Sequence, residues 1–309
     1  PVLRGPVLRG PVLRGPVLRG PVLRGPVLRG PVLRGPAGGE TSSAPVVRRL
    51  DVPGAGLLAV TLISLVHTLV GLPESGWTAA TALGFLCAAV ALVAFVRHER
   101  RTDGPLIPPE AFRSAAVTSA LGVLVSVSAA MFGALFLGTY YLQDVLALDP
   151  LRSSLHALPL AVTMVAGAPV SAVLLRRHGP RRVSVAGMLL VAFATLLMSR
   201  LDEASGSVVI GGCFLLLGAG FVAVLVTATA VVVRESSVES AGVLGGLQQT
   251  AMNVGPALGV ALAATLVRTD AAFTSSAMGH ALVVLAAVAA LGAVPAARLP
   301  ARGHVHSYA

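Results

Sequence analysis

Long apolar stretches alternate with short polar ones along most of this chain, from about residue 52 to residue 297. Eight of the stretches are long enough to cross a membrane, because a helix needs about 20 mostly apolar residues to span roughly 30 Å of hydrocarbon. Unbroken apolar runs of this length predict helices and not barrel strands. The predicted spans are residues 52–72, 77–96, 116–141, 155–175, 183–199, 207–233, 241–267 and 277–297.

Composition agrees with this pattern. Hydrophobic residues make up 55% of the chain and charged residues only 12%, whereas a soluble domain is usually about 25% charged. A soluble protein of this composition would lack the polar surface to cover its core. The sequence therefore predicts an all-α integral membrane protein whose first partner is the lipid bilayer.

The N-terminal residues follow another rule. Residues 1–35 are seven copies of Pro-Val-Leu-Arg-Gly, and residues 36–50 form a polar linker. A period of five with proline and glycine in every unit fits neither helix nor strand, so we expect a disordered arm. Two interpretations stay open. In the first, the arm is a product of tandem DNA repetition or of a misplaced start codon. In the second, the arm binds anionic lipid, and each arginine contributes about 1 kcal/mol of attraction to the membrane surface.

The distribution of arginine predicts the orientation of the spans in the membrane. The formal net charge is +10, but seven arginines belong to the repeats, and the others flank apolar spans, which does not indicate nucleic-acid binding. Cytoplasmic flanks hold the excess of arginine in membrane proteins. With residue 50 inside, the arginines on inner flanks are 48, 49, 97, 100, 101, 113, 176, 177, 181, 182, 234, 298 and 302, and those on outer flanks are 152, 200 and 268. We therefore expect both termini in the cytoplasm.

Three stretches resemble one family. The first follows the pattern Y-L-Q-x-V-x-G-x-S-P-L-x-A-G-L-x-x-L-P, with Ala147 in place of its glycine and Asp149 in place of its serine. The second is similar to a short cytoplasmic loop, D-R-x-G-x-R-R, with Arg176 in place of the acid. The third is similar to G-x-x-L-G-V-A. The stretches are residues 140–159, 176–182 and 255–261.

This combination resembles the drug:proton antiporters of the major facilitator superfamily with fourteen spans, the EmrB/QacA type. The resemblance covers about residues 48–300 and implies three parts from residue 51 onward. Residues 51–114 would be an extra pair of transmembrane helices with a cytoplasmic loop, residues 115–300 the C-terminal six-helix bundle, and residues 301–309 a cytoplasmic tail. The first six helices of the family are not in this sequence.

The resemblance implies proton-coupled efflux of small hydrophobic or cationic drugs across a bacterial inner membrane. It implies no cofactor beyond the proton gradient. We expect this sequence to be a fragment lacking the first half. The alternatives are a non-transporting fragment, from a pseudogene or a mis-started gene model, and a half-transporter that needs a separate partner or a second copy. No catalytic motif or metal-ligand spacing indicates an enzyme or a metal site.

Polar groups inside spans are the substrate-path candidates, because buried amides in lipid need a cavity or a hydrogen bond between helices. Both interpretations stay open for Gln248, Gln249 and Asn253 in the seventh span. Tyr140, Tyr141 and Gln143 are expected at the outer mouth of the cavity, with interfacial anchoring as the alternative for the tyrosines.

Other residues are expected to serve shape and movement. The resemblance makes Arg177, Gly179, Arg181 and Arg182 a loop that helps to hold one conformational state, with simple anchoring by positive charge as the alternative. Gly255 and Pro256 are expected to bend the seventh helix. The spacing of Gly255 with Gly259, and of Gly242 with Gly246, predicts close helix packing at both pairs. His67, inside the first span, is expected to be a packed or lipid-shielded histidine more than a proton relay.

Overall fold

The computed structural model describes residues 51–101, 114–202, 204–237, 240–269 and 275–300. The repeat arm at 1–35, the linker at 36–50, most of the loop after the helix pair and the tail at 301–309 lie outside the described residues. The expectations for those segments stay predictions.

The described residues form eight long helices and no strand, which confirms the predicted all-α fold. Each helix is long and apolar enough to cross a membrane. In chain order they are α1 (Val52–Ser75), α2 (Ala79–Glu99), α3 (Ala115–Tyr140), α4 (Pro150–His178), α5 (Pro180–Met198), α6 (Ser207–Glu235), α7 (Ala241–Thr269) and α8 (Ser275–Ala297). One π-helical turn, Tyr141–Val145, continues α3.

Two helices begin earlier than the apolar pattern predicts, because their first turns are polar. The α4 helix starts at Pro150 and not near residue 155, since the Asp149 side chain caps it by accepting a hydrogen bond from the Arg152 N–H at 2.7 Å. The α5 helix starts at Pro180 and not near residue 183. Its separation from α4 is the single residue Gly179, whose φ of 81° and ψ of 163° suit glycine alone.

The link between α3 and α4 contains a strained residue. Ala147 has a φ of 50°, in the left-handed region that costs an L-residue about 1–2 kcal/mol. The family pattern has glycine at this position, and the backbone explains why glycine suits it. Asp149 replaces the pattern's serine, and both residue types are good N-caps.

The α3 helix lies in the centre of the bundle, packed against α6, α7 and α8. Its spanning segment is the most buried of the eight. The α6 helix packs along both α4 and α5, and α8 packs along α3 and α5. A large apolar core joins these helices through residues such as Leu137, Met188, Phe214 and Leu285, each less than 2% exposed.

The α1–α2 hairpin lies on the outside of this bundle. Its two helices pack against each other, and α1 also packs against α7. The open ends of the hairpin are joined by His98, whose Nε2 lies 2.9 Å from both carboxylate oxygens of Asp51. Asp51 also caps α1 by accepting from the Gly54 N–H at 3.0 Å. Residues 51–99 thus form a helical hairpin, and its assignment as the inserted pair of the family stays a prediction.

Candidate functional site

Adjacent glutamines on α7 point in different directions. Gln248 is half-buried, and its Nε2 donates to Thr229 Oγ1 of α6 at 3.0 Å. Gln249 is exposed, and its Nε2 lies 3.4 Å from Oδ1 of Asn253, which is also exposed. The two interpretations of this cluster therefore apply to different residues. Gln248 joins two helices, whereas Gln249 and Asn253 form a polar patch on an open face.

That open face extends along one side of α7. Gly242 and Gly246 are exposed on the same side, and a Cβ added at either would meet no atom within 4 Å. No described helix packs closely on this glycine pair, so the close packing expected of it stays a prediction. We call the side of α7 formed by Gly242, Gly246, Gln249, Asn253 and Val260 the open face. Asn253 lies near the middle of α7, at the depth where a polar side chain is costly in lipid.

The opposite side of α7 packs directly on α3. A Cβ at Gly255 would stand 2.7 Å from Ser128 Cβ, and a Cβ at Gly259 would overlap the Ala129 carbonyl group. Only glycine allows the two backbones to approach so closely. The second pair thus lies at a close contact between α7 and α3, as its spacing would allow. The helix continues through Pro256, and the expected bend at this proline stays a prediction.

At one end of the open face, α3 supplies polar groups to a cavity of about 430 Å³. Tyr140, Gln143 and Asp144 line this cavity together with Val260 of α7. The cavity therefore continues the open face across two helices. Its position at the end of α3 agrees with the expected place of Tyr140 and Gln143.

Tyr141 departs from both of its expected roles. Its ring is buried, with 1% exposure, and its hydroxyl donates to the Asp202 carbonyl oxygen at 2.6 Å. It thus ties the π-helical turn to the connection between α5 and α6. A buried ring held in this way neither lines a cavity nor anchors at the lipid interface, so Tyr141 is a structural residue. Sequence alone gives no reason to separate it from its neighbour Tyr140.

Along another edge of the open face, α1 and α7 enclose a cavity of about 590 Å³. His67 of α1 lines it opposite Thr250, Asn253 and Val254 of α7. The histidine is exposed and not packed in a core, and the lipid-shielded placement stays a prediction. An ionisable side chain within a span was the sequence signal that pointed to this residue.

The predicted conformational loop is a tight turn between two helices. Arg177 ends α4, Gly179 forms the turn, and Arg181 and Arg182 lie in the first turn of α5. The ion pairs found among the described residues are Asp51 with His98 and Asp149 with Arg152, and neither involves this turn. The described residues thus supply no carboxylate to these arginines.

These features define a class: a multi-pass helical membrane protein with one tightly packed bundle and an open polar face. Comparison with known proteins gives the family. The model of the Major Facilitator Superfamily matches residues 52–260. The chain belongs to this superfamily of transporters.

Several relatives carry names from antibiotic resistance. The chain is 41% identical over 220 residues to the tetracenomycin C resistance and export protein of Streptomyces glaucescens. This alignment covers 71% of this chain and 41% of that protein. It is 31% identical over 223 residues to the puromycin resistance protein pur8 of Streptomyces alboniger (71% and 44%). It is 29% identical over 224 residues to the multidrug resistance protein Stp of Mycobacterium tuberculosis (72% and 42%). The matched part spans about two fifths of these relatives.

Proposed function

We propose that this chain provides the C-terminal six-helix bundle and the inserted helix pair of a fourteen-span, proton-coupled exporter of antibiotics or similar drugs. The observation that carries the proposal is the open face of α7. It presents Asn253 near the middle of a span and Gln249 one turn away, where polar groups are expected to line a cavity or a path. The names of the relatives support the substrate class.

The chemistry of the face fits an amphiphilic drug. Amides on Gln249 and Asn253 donate and accept hydrogen bonds, while Val260 and the cavity residues Phe132 and Phe136 offer apolar contact. Because these amides are neutral, they can form hydrogen bonds with either uncharged or charged ligands. This combination suits hydrophobic or weakly cationic compounds.

We also propose that transport requires a second six-helix bundle against the open face, in the same polypeptide or in another. Alternating access needs two bundles that rock about a central site. Among the described helices only α1 reaches an edge of this polar face, and the rest of the face is left uncovered. The bundle's membrane is proposed to be the bacterial inner membrane, with residues 50 and 300 on the cytoplasmic side, as the distribution of arginine indicates.

Proton coupling is proposed from the family resemblance. Among the described residues, each carboxylate lies at or near a helix end, as Asp144 and Glu235 illustrate. His67, facing Asn253 across the α1–α7 cavity, is the described ionisable group best placed to sense the path. We expect the carboxylates that couple transport to protons in the other six-helix bundle, the one proposed to pack against the open face.

A chimera tests the function. Residues 52–300 replace the matching segment of the tetracenomycin C export protein, and drug accumulation is measured in a hypersensitive bacterial host. We expect the chimera to lower accumulation and a protonophore to abolish the effect. In the chimera, Gln249→Leu and Asn253→Leu should change the relative resistance to several drugs at unchanged membrane levels. Chimera protein that reaches the membrane and leaves accumulation unchanged would contradict the proposal.

A further inference from the structure

The α4 and α5 helices both pack along α6 but touch each other little, which leaves a groove between them with α6 as its floor. The groove encloses about 700 Å³. On α4, the successive turns contribute Val162, Ala166, Val170 and Leu174, and Ala186 of α5 faces them. Val162 and Val170 are more than half exposed, so the groove is open along its side. Its walls are almost entirely apolar.

One end of the groove is cationic. His178, one turn beyond Leu174 on α4, and Arg182, one turn before Ala186 on α5, line this end, and both are exposed. From Val162 to His178 the groove follows α4 for about 24 Å at 1.5 Å per residue. The groove is therefore longer than the hydrocarbon of one leaflet is thick, which is about 15 Å.

The cationic end carries an excess of positive charge that a bound anion would neutralise. Arg181 and Arg182 lie in the first turn of α5, where the helix dipole disfavours positive charge. Gly179 precedes this turn and offers no side-chain cap to its backbone N–H groups. No carboxylate of the described residues forms an ion pair with either arginine. Two positive side chains and free helical N–H groups therefore face the same membrane interface.

We propose that this groove binds one anionic phospholipid, with an acyl chain along α4 and α5 and its phosphate on Arg182 and His178. The apolar walls match an acyl chain, and the open side would let the chain enter from the bilayer. Guanidinium and imidazole groups donate to phosphate oxygens, and the α5 N-terminus adds its dipole. A cationic drug does not fit, because Arg182 repels it. The groove lies on α4, α5 and α6 and away from the open face of α7, so the proposal stands independently of the transported compound.

The test counts the lipids that stay bound. The full chain is purified in mild detergent, and phosphatidylglycerol or phosphatidylcholine is titrated in while native mass spectrometry measures occupancy. We expect one phosphatidylglycerol per chain to bind in preference to phosphatidylcholine. Arg182→Gln should weaken phosphatidylglycerol binding about tenfold, because a charge-assisted contact is lost. Arg181→Gln is the matched control, because Arg181 bears the same charge one residue away and does not line the groove.

A second pair of variants tests the acyl-chain part of the site without changing charge. Ala166→Trp fills the groove, since Ala166 lines it, whereas Ala161→Trp adds the same ring at an exposed position outside it. Occupancy should fall in the first variant and stay unchanged in the second. Equal losses in Arg181→Gln and Arg182→Gln, or unchanged binding in Ala166→Trp, would overturn the proposal. Either result would assign lipid binding to diffuse positive charge.

Discussion

On one side of α7, Gly255 and Gly259 lie against the backbone of α3, while on the other side Gly242 and Gly246 meet no atom where a side chain would begin. Both pairs have the same spacing of four residues. The glutamines repeat this contrast, since Gln248 bonds to α6 and Gln249 belongs to the open face. One helix thus combines a packing side and an exposed polar side. Residue type and spacing do not distinguish the two, because the difference arises from the direction of each residue.

The largest expected effect comes from the packed glycines. Gly259→Ala places a Cβ on the Ala129 carbonyl, and relief requires α3 and α7 to separate. We expect a loss of about 3 kcal/mol of folding free energy, from overpacking. Fluorescence-detected size exclusion after heating measures the folded fraction.

The matched control is Gly246→Ala, on the same helix with open space around it. Replacing an exposed helical glycine by alanine gains about 0.5–1 kcal/mol, so this variant should be slightly more stable. Similar destabilisation by both substitutions would break the distinction between the two sides.

A smaller effect is expected at the glutamines. Gln248→Leu removes the hydrogen bond to Thr229 and should cost about 1 kcal/mol, as hydrogen bonds between membrane helices do. Gln249→Leu removes only a contact with Asn253 on its own helix and should leave stability unchanged. Thermal unfolding of both variants, and of the Gln248→Leu/Thr229→Val double variant, measures the coupling. If Gln249→Leu is the more destabilising change, the assignment of sides is wrong.

The smallest effect concerns α1, which covers an edge of the open face. The pKa of Asp51 is lowered below its ordinary value of 3.8, chiefly by the hydrogen bond from the Gly54 N–H and then by that from His98. A carboxyl group whose pKa is lower in the folded state stabilises the fold at pH values above its pKa in the unfolded state. This stabilisation is lost as the pH falls through its pKa in the folded state. Acidification below pH 3.8 should therefore loosen the hairpin.

Fluorescence of Trp77, the single tryptophan of the chain, reports on the hairpin because it lies between α1 and α2. Its thermal transition should fall in temperature on acidification in the natural sequence. In Asp51→Asn the same transition should be lower at neutral pH and flatter with pH. An unchanged acid response in Asp51→Asn would assign the effect to another group.

The sequence predicts the spans well because a bilayer imposes long apolar runs and a helical backbone. It predicts helix ends less well, as α4 shows, because Asp149 and Pro150 extend the helix into polar sequence. The functional candidates were found by their unusual polarity. Gln248 and Tyr141 are structural, whereas Gln249 is exposed and Tyr140 is half-buried in a cavity wall. This difference depends on the rotation of each helix against its neighbours. Spacing within one helix cannot give that rotation.

The central claim is that the open face of α7 lines a water-filled path, and thiol labelling tests it directly. Asn253→Cys and Ala251→Cys are made in a background with Cys87→Ala and Cys213→Ala, and the assembled transporter is treated with a charged maleimide in membrane vesicles. Ala251 is buried on the packed side. We expect rapid labelling at position 253, slowed by a transported drug, and none at position 251. Labelling at position 253 by a lipid-soluble maleimide alone would place the open face in lipid and contradict a water-filled path.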